Sequence, residues 1–323
     1  MNPKELKPRE LKQLSLLADV ANLYYEHDLT QAEIAEKLFI SRTRISRLLK
    51  QAKEKGIVEI KVNYLFERNY DLEANFKERF KLKDVILLNS NNKSEKDIRR
   101  GIGSLAAAYL KKRVRKNMTL GVSWGSTISE TVNALEVEKK LPINIVQTMG
   151  VSSIENPKVD SREIIRRLTE IYSGRAHYLS APLYIQEQYV KEAIMSDPLI
   201  SKSLEMLRNA DIILTGIGTL NEAKSANPWH GYMNKKMYKE IQKQGGVGCI
   251  CAQFFDQDGN EIDSDWNRQC IGIRLNQLKR VEEVVAVAGG LEKALPIIGA
   301  IKGNYINVLI SDTETARAIM SKF

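Results

Sequence analysis

The sequence predicts an α/β protein, with a small N-terminal helix-turn-helix domain and a large doubly wound parallel-sheet domain. Three observations carry that expectation. Between Leu14 and Val62, three helical patterns follow in close succession, the third rich in arginine, and end in a short alternating stretch. From Lys83 onward, short apolar runs alternate with helical segments, the pattern of parallel strands joined by crossover helices. Between them, residues 64–82 hold one more amphipathic pattern. The expected divisions are therefore 1–63, 64–82 and 83–323.

In the first division, a helix is expected from about Lys12 to Glu26, with Leu16, Val20 and Leu23 as its inner stripe. A second begins after Thr30, where Glu33 three residues on completes a capping-box pattern, and turns Ile34, Ala35 and Leu38 inward. A third starts at the N-cap Ser41 and buries Ile45, Leu48, Leu49 and Ala52. The 3.6-residue period then points Thr43, Arg47 and Lys50 outward, flanked by Arg44 and Ser46. Arg42 to Arg47 lie where such a helix reaches base edges, and arginine can pair bidentately with guanine. Lys50 and Lys53 come later and suit phosphate. Thr30, Gln31 and Ser41, at the two helix starts, complete the surface expected to meet DNA. The turn between helices two and three often holds glycine, but reads Phe39-Ile40 here. Either it uses another backbone conformation or Phe39 is a packed anchor. Gly56 ends the third helix, and Val58, Ile60 and Val62 alternate with Glu59 and Lys61 as a half-buried strand.

Composition agrees with this reading. Of 323 residues, 43% are hydrophobic and 28% charged, which is globular rather than disordered. The formal net charge of +9 favours a polyanionic partner. No apolar run approaches the roughly 20 residues of a membrane span, and Met1 to Lys12 is too charged for a secretory signal. A cytoplasmic protein without membrane attachment is expected. Cys249, Cys251 and Cys270 are too few for a disulfide framework and read as buried reduced thiols. His27, His177 and His230 form no metal-ligand pair by spacing, so no metal is expected.

Asn69 to Phe80 places Leu72, Phe76 and Phe80 at four-residue steps, an amphipathic connector helix that could dock on the large domain or on another subunit. Beyond it, candidate strands are Val85–Leu88, Thr119–Ser123, Ile143–Thr148, Ile212–Thr215, Val247–Ala252, Val284–Ala288 and Val308–Ile310. Candidate helices include Glu95–Arg115, Ser161–Tyr172, Asn234–Gln244 and Thr313–Met320.

In such a sheet, ligands bind beyond the carboxyl ends of the strands. Four ends stand out. At the first, Gly125-Ser126-Thr127 opens a helix, whose free N–H groups and hydroxyls suit a phosphate. Gly216 and Gly218 allow close backbone approach at the second, or simply serve the turn. The third carries Cys249, followed by an Asp256–Gly259 tight turn that lacks the ligands of a calcium loop. Lys293 at the fourth stands one helical turn beyond Gly289-Gly290, where its ammonium would favour a phosphate. Met149, Gly150, Asp160 and Arg162 add weaker candidates. Neither a Walker A ending nor the dinucleotide glycine pattern is present, so no nucleotide cofactor is expected.

The segment TQAEIAEKLFISRTRISRLLKQAKEKGIVEIKV, Thr30 to Val62, resembles the DNA-binding region of the SorC/DeoR-type sugar-responsive bacterial regulators, and the resemblance continues through the large domain. It implies a dimer or tetramer, an effector contact at Lys293, and a large domain similar to sugar-phosphate isomerases and deaminases. The resembled family usually has an acidic residue where Cys249 stands, and a thiol accepts hydrogen bonds poorly. The expectation is a regulator whose affinity for operator DNA is controlled by a sugar phosphate or related phosphorylated metabolite. Two alternatives stay open: an isomerase-like enzyme, which would need a placed general base, and a regulator whose large domain only oligomerises.

Overall fold

The computed structural model describes residues 8–58, 67–137, 140–151, 160–220 and 232–322. The chain divides into two compact units, Met1–Tyr64 and Leu65–Phe323.

The first unit packs three helices, α1 (Pro8–Tyr25), α2 (Gln31–Lys37) and α3 (Arg42–Glu54). Leu17, Val20 and Ala21 from α1 meet Ile34 from α2 and Ile45, Leu48, Leu49 and Ala52 from α3. The register of α1 differs from the expected stripe by one residue: Leu17 is at its centre, while Leu16 and Leu23 flank the core. Thr30 forms the capping box with Glu33, and Ser41 caps α3 through its hydroxyl. Gly56 follows with φ +70°, as a helix-ending glycine does. The expected strand beyond Val58 lies outside the described residues.

The turn between α2 and α3 departs from both readings of Phe39. It is a Schellman motif, with Phe39 N donating to Glu36 O (3.2 Å) and Ile40 N to Ala35 O (3.0 Å). Phe39 takes the glycine position with φ +54°, and its side chain is 95% exposed. The glycine-type turn is thus kept without glycine, at a cost of about 1 kcal/mol for an L-residue.

The large unit opens with α4 (Tyr70–Phe80), the expected connector helix, which packs on the first strand. Phe76 is fully buried, with Leu72 and Phe80 beside it. Glu73 is buried too. Its carboxylate accepts from Arg68 Nε (2.9 Å) and Nη2 (2.7 Å) and from Leu87 N (2.8 Å), pinning α4 to that strand.

The chain then runs through β1 (Asp84–Leu88), α5 (Glu95–Arg113), β2 (Thr119–Val122), α6 (Ser126–Ala134), β3 (Asn144–Gln147), α7 (Ser161–Tyr172) and β4 (Arg175–His177). Next come α8 (Gln188–Met195), α9 (Pro198–Arg208), β5 (Ile212–Thr215), β6 (Gly218–Thr219), α10 (Lys235–Lys243), β7 (Gly246–Ile250) and β8 (Gln253–Asp256). It ends with α11 (Asp265–Gln269), α12 (Leu275–Leu278), β9 (Glu283–Val287), α13 (Ala294–Lys302), β10 (Val308–Asp312) and α14 (Thr313–Lys322).

Seven strands form one parallel sheet in the order β1-β10-β9-β5-β2-β3-β4. Alternate residues of β1, β3, β5, β9 and β10 enter different cores, so the sheet is covered on both faces. Val85, Leu87, Val284 and Ala286 join one core with residues of α4, α9, α13 and α14. Ile86, Leu88, Val285 and Val287 join the other, with α5, α6 and α7. The doubly wound architecture is therefore present, and its strand order reverses between β2 and β5.

One expected strand belongs elsewhere. Val247–Ala252 was expected in the parallel sheet, but β7 pairs antiparallel with β6 and β8 in a separate three-stranded sheet. The strand also stops at Ile250, because Cys251 and Ala252 form the two-residue turn into β8, with φ of +47° and +65°. Two left-handed residues are the signature of a type I′ hairpin, normally written Asn-Gly. Cys-Ala gives no such signal, so the apolar run reads as continuous strand.

Candidate DNA-reading helix and effector crevice

On α3, Arg42, Thr43, Arg44, Ser46, Arg47 and Lys50 are all exposed, opposite the buried Ile45, Leu48, Leu49 and Ala52. Lys50 makes only a loose ion pair with Glu54 (3.9 Å), both side chains being mostly exposed. Lys53, also expected to meet phosphate, lies over the Tyr25 ring of α1. The caps fix the two helix starts. Glu33 Oε2 accepts from Thr30 N (2.8 Å) and Oγ1 (2.7 Å), and Ser41 Oγ accepts from Arg44 N (3.3 Å). The Thr30 hydroxyl holds the Glu33 carboxyl below its ordinary range, so the cap is in its charged form at neutral pH. Gln31, the first residue of α2, is partly exposed beside it. The result is a three-helix base on which α3 presents a polar, cationic face.

In the large unit, the strand-order reversal sets the ends of β2 and β5 side by side, the usual place for a ligand crevice. Ser123 Oγ, after β2, lies 3.4 Å from Thr215 Oγ1 at the end of β5. Gly125 follows with φ +149° and precedes α6, whose first residues are Ser126, exposed, and Thr127, partly exposed. Across the reversal, Gly216 and Gly218 are partly exposed on the segment leading into β6. This is a helix N-terminus with hydroxyls beside a glycine-lined strand end, an arrangement that favours an oxyanion.

Gly218, Cys249 and Lys293 are also brought together. Gly218 pairs with Cys249 between β6 and β7, so closely that a Cβ on the glycine would fall 2.4 Å from the thiol. Burial pushes the Cys249 thiol up to about 12, and the Lys293 charge opposes that shift. The thiol is therefore neutral, and with 5% exposure it forms wall rather than donor surface.

Lys293 is held by an arrangement that sequence reasoning passed over. Gly290 has φ +103°, and its N–H lies 2.9 Å from both Asp312 Oδ2 and Thr315 Oγ1. Asp312, 1% exposed at the end of β10, also accepts from Thr315 N (2.9 Å), Thr315 Oγ1 (2.6 Å) and Ser90 Oγ (3.4 Å). This carboxylate caps α14 and clamps the Gly289-Gly290 turn that carries Lys293. The Asp-x-x-Thr spacing at a strand-to-helix junction was the available signal.

The remaining candidates divide. Met149 is buried, its backbone bridged to Gly272, and Gly150 packs against Pro182. Neither offers a side chain to the crevice. Asp160 is the N-cap of α7, its Oδ1 accepting from Arg162 N (2.7 Å). Asp160 and the exposed Arg162 line a cavity of about 700 Å³ at the ends of β3 and β4. Gln147, Arg166, Tyr178 and Ser180 line it too, and strand-end reasoning missed them because β4 is only three residues long. All three cysteines are buried and free. Among the described residues, no cluster of His, Cys, Asp or Glu could hold a metal ion, and no helix is long and apolar enough to cross a membrane.

Comparison with known proteins places both units. Residues 64–321 match the family described as "Putative sugar-binding domain", and residues 6–63 match the MarR family of helix-turn-helix domains. The chain is 34% identical to the deoxyribonucleoside regulator of Bacillus subtilis over 313 residues, 97% of this chain and 99% of that one. It is 30% identical to the sorbitol operon regulator of Klebsiella pneumoniae over 313 residues, 95% and 98% of the two chains. The crystal structure of full-length SorC from Klebsiella pneumoniae superposes with a TM-score of 0.75 at 28% identity, covering 95% of this chain and 98% of that one. With its outward-facing basic helix and its ligand-type crevice, the chain belongs to the SorC/DeoR family of sugar-responsive, DNA-binding transcriptional regulators.

Proposed function

We propose that a phosphorylated sugar or related phosphorylated metabolite binds at the C-terminal edge of the parallel sheet and sets the protein's affinity for operator DNA, without being turned over. The observation that carries this reading is the start of α6, Gly125-Ser126-Thr127, at the end of β2, next to the end of β5 from which Gly216 and Gly218 lead, the two ends meeting at Ser123 and Thr215. Lys293, held by its clamped turn near Gly218 and Cys249, supplies the cation. Two of the acidic groups at the strand ends support a reading without turnover. Asp312 is saturated with donors and Asp160 caps a helix, so neither is placed as a free general base. We further propose a cytoplasmic homo-oligomer, dimer or tetramer, acting on pseudo-palindromic or repeated operators.

The test is thermal melting against pentose and hexose phosphates, the same sugars unphosphorylated, and inorganic phosphate. One phosphosugar at a hundredfold excess over its Kd should raise Tm by roughly 5–10 °C, with no product formed. An equal rise with the free sugar would remove the phosphate from the reading, and product formation would make the protein an enzyme. Lys293→Ala should cost about 1.5 kcal/mol of effector binding, as expected for a lost charge-assisted hydrogen bond, and leave effector-free DNA binding unchanged. Effector affinity within twofold of wild type would exclude Lys293 from the site.

A further inference from the structure

We propose that Phe39 is part of the DNA-reading surface and packs its ring on apolar surface of the operator, a thymine methyl or the face of a deoxyribose. Among the described residues, Phe39 is the only aromatic residue with positive φ, and no other residue of the first unit is a large exposed hydrophobic. The unit otherwise turns its large apolar side chains inward, to full or partial burial. At position 39 it does the reverse twice. It puts a bulky residue where the Schellman turn suits glycine, and sends the ring into solvent. Among the described residues of the first unit, nothing gains from this. The backbone hydrogen bonds of the turn are those a glycine would make, and a ring that is 95% exposed contributes almost no burial.

Position supplies the partner. Phe39 is two residues before Ser41, the N-cap of α3, and consecutive Cα atoms are about 3.8 Å apart. The exposed ring therefore stands close to the start of α3, the end whose exposed Arg42, Thr43, Ser46 and Arg47 are the candidate base-reading residues. That face is otherwise cationic and polar, suited to phosphates and to base donors and acceptors. It has no other large apolar group to meet the thymine methyl, which is the one apolar marker in the major groove.

The test uses the full chain, a duplex selected by it from a random library, and the same duplex with deoxyuridine in place of thymidine. Phe39→Gly relieves the backbone. Phe39→Asn, whose side chain also tolerates the left-handed conformation, removes the ring without adding glycine flexibility. Both should melt at or above the wild-type temperature yet bind the selected duplex at least fivefold more weakly. The slope of log affinity against log salt should not change, because an apolar contact releases no counterions. If deoxyuridine weakens wild type but not the variants, the partner is a methyl; if it affects neither, the partner is the sugar face. Binding by both variants within twofold of wild type overturns the proposal. So does a salt slope shallower by about one, which would mean a displaced phosphate contact.

Discussion

The two units place their working residues in opposite ways. In the first, the candidate DNA surface is chiefly one face of the 13-residue α3, joined by the start of α2 and the turn at Phe39, and all of it lies between Thr30 and Lys50. In the second, the candidate crevice draws on strand ends far apart in sequence: Gly125, Gly218, Cys249, Lys293 and the clamp Asp312. A helix face is set by local periodicity and survives as long as the helix does. A crevice of strand ends exists only while the whole sheet holds its order. The first should therefore fail by local unfolding, the second by loss of any one tie.

The strongest way to break this contrast is Ile45→Ala, which opens a cavity in a core of eight buried residues. It should cost about 2–5 kcal/mol and abolish DNA binding. The large unit should keep its melting transition in calorimetry, and loss of both transitions together would contradict the separation. Asp312→Ala comes next, removing a buried acceptor shared by Gly290, Thr315 and Ser90. It should cost roughly 2–3 kcal/mol in chemical denaturation of the large unit, with the N-terminal unit unaffected. Arg47→Ala should weaken specific operator binding by about 1–3 kcal/mol if it reads a base, whereas equal weakening on every duplex would assign it to phosphate. The smallest effect is Thr30→Ala, about 1 kcal/mol for the lost cap, seen as a lower melting temperature of the first unit. The Glu33 carboxyl sits below its ordinary value in the folded state. Its contribution is therefore present at neutral pH and lost as pH falls through the folded-state value. The stability difference between wild type and Thr30→Ala should shrink on acidification, and a difference constant with pH would remove the charged cap from the account.

Legibility in the sequence follows the same division. The helix starts at Thr30 and Ser41 and the buried faces of α2 and α3 are written in spacings of three and four residues, so they could be read directly. The seven parallel strands were legible less evenly. The apolar runs of β1, β5, β9 and β10 stand out, while β4 is three residues with Arg175 and His177 at its ends and carries no apolar pattern. The helices α8 and α9 were passed over, although Asp197-Pro198 is a standard helix start. For the crevice, the sequence could nominate strand ends but not say which lie together, because that depends on strand order. It could not show that Met149 turns into the core while Gly218 and Lys293 converge on Cys249. Phe39 was ambiguous for a related reason: composition names the residue, and only the backbone reveals that the turn ignores it.

The three thiols have a practical consequence. Burial leaves Cys249 and Cys251 protonated, with values pushed up to about 12 and about 11, and Cys270 is raised as well. A thiol reagent attacks only the thiolate, so the closed molecule should be inert to it at neutral pH. Labelling must then wait for a spontaneous opening, and its rate becomes a stopwatch for the breathing of the large unit.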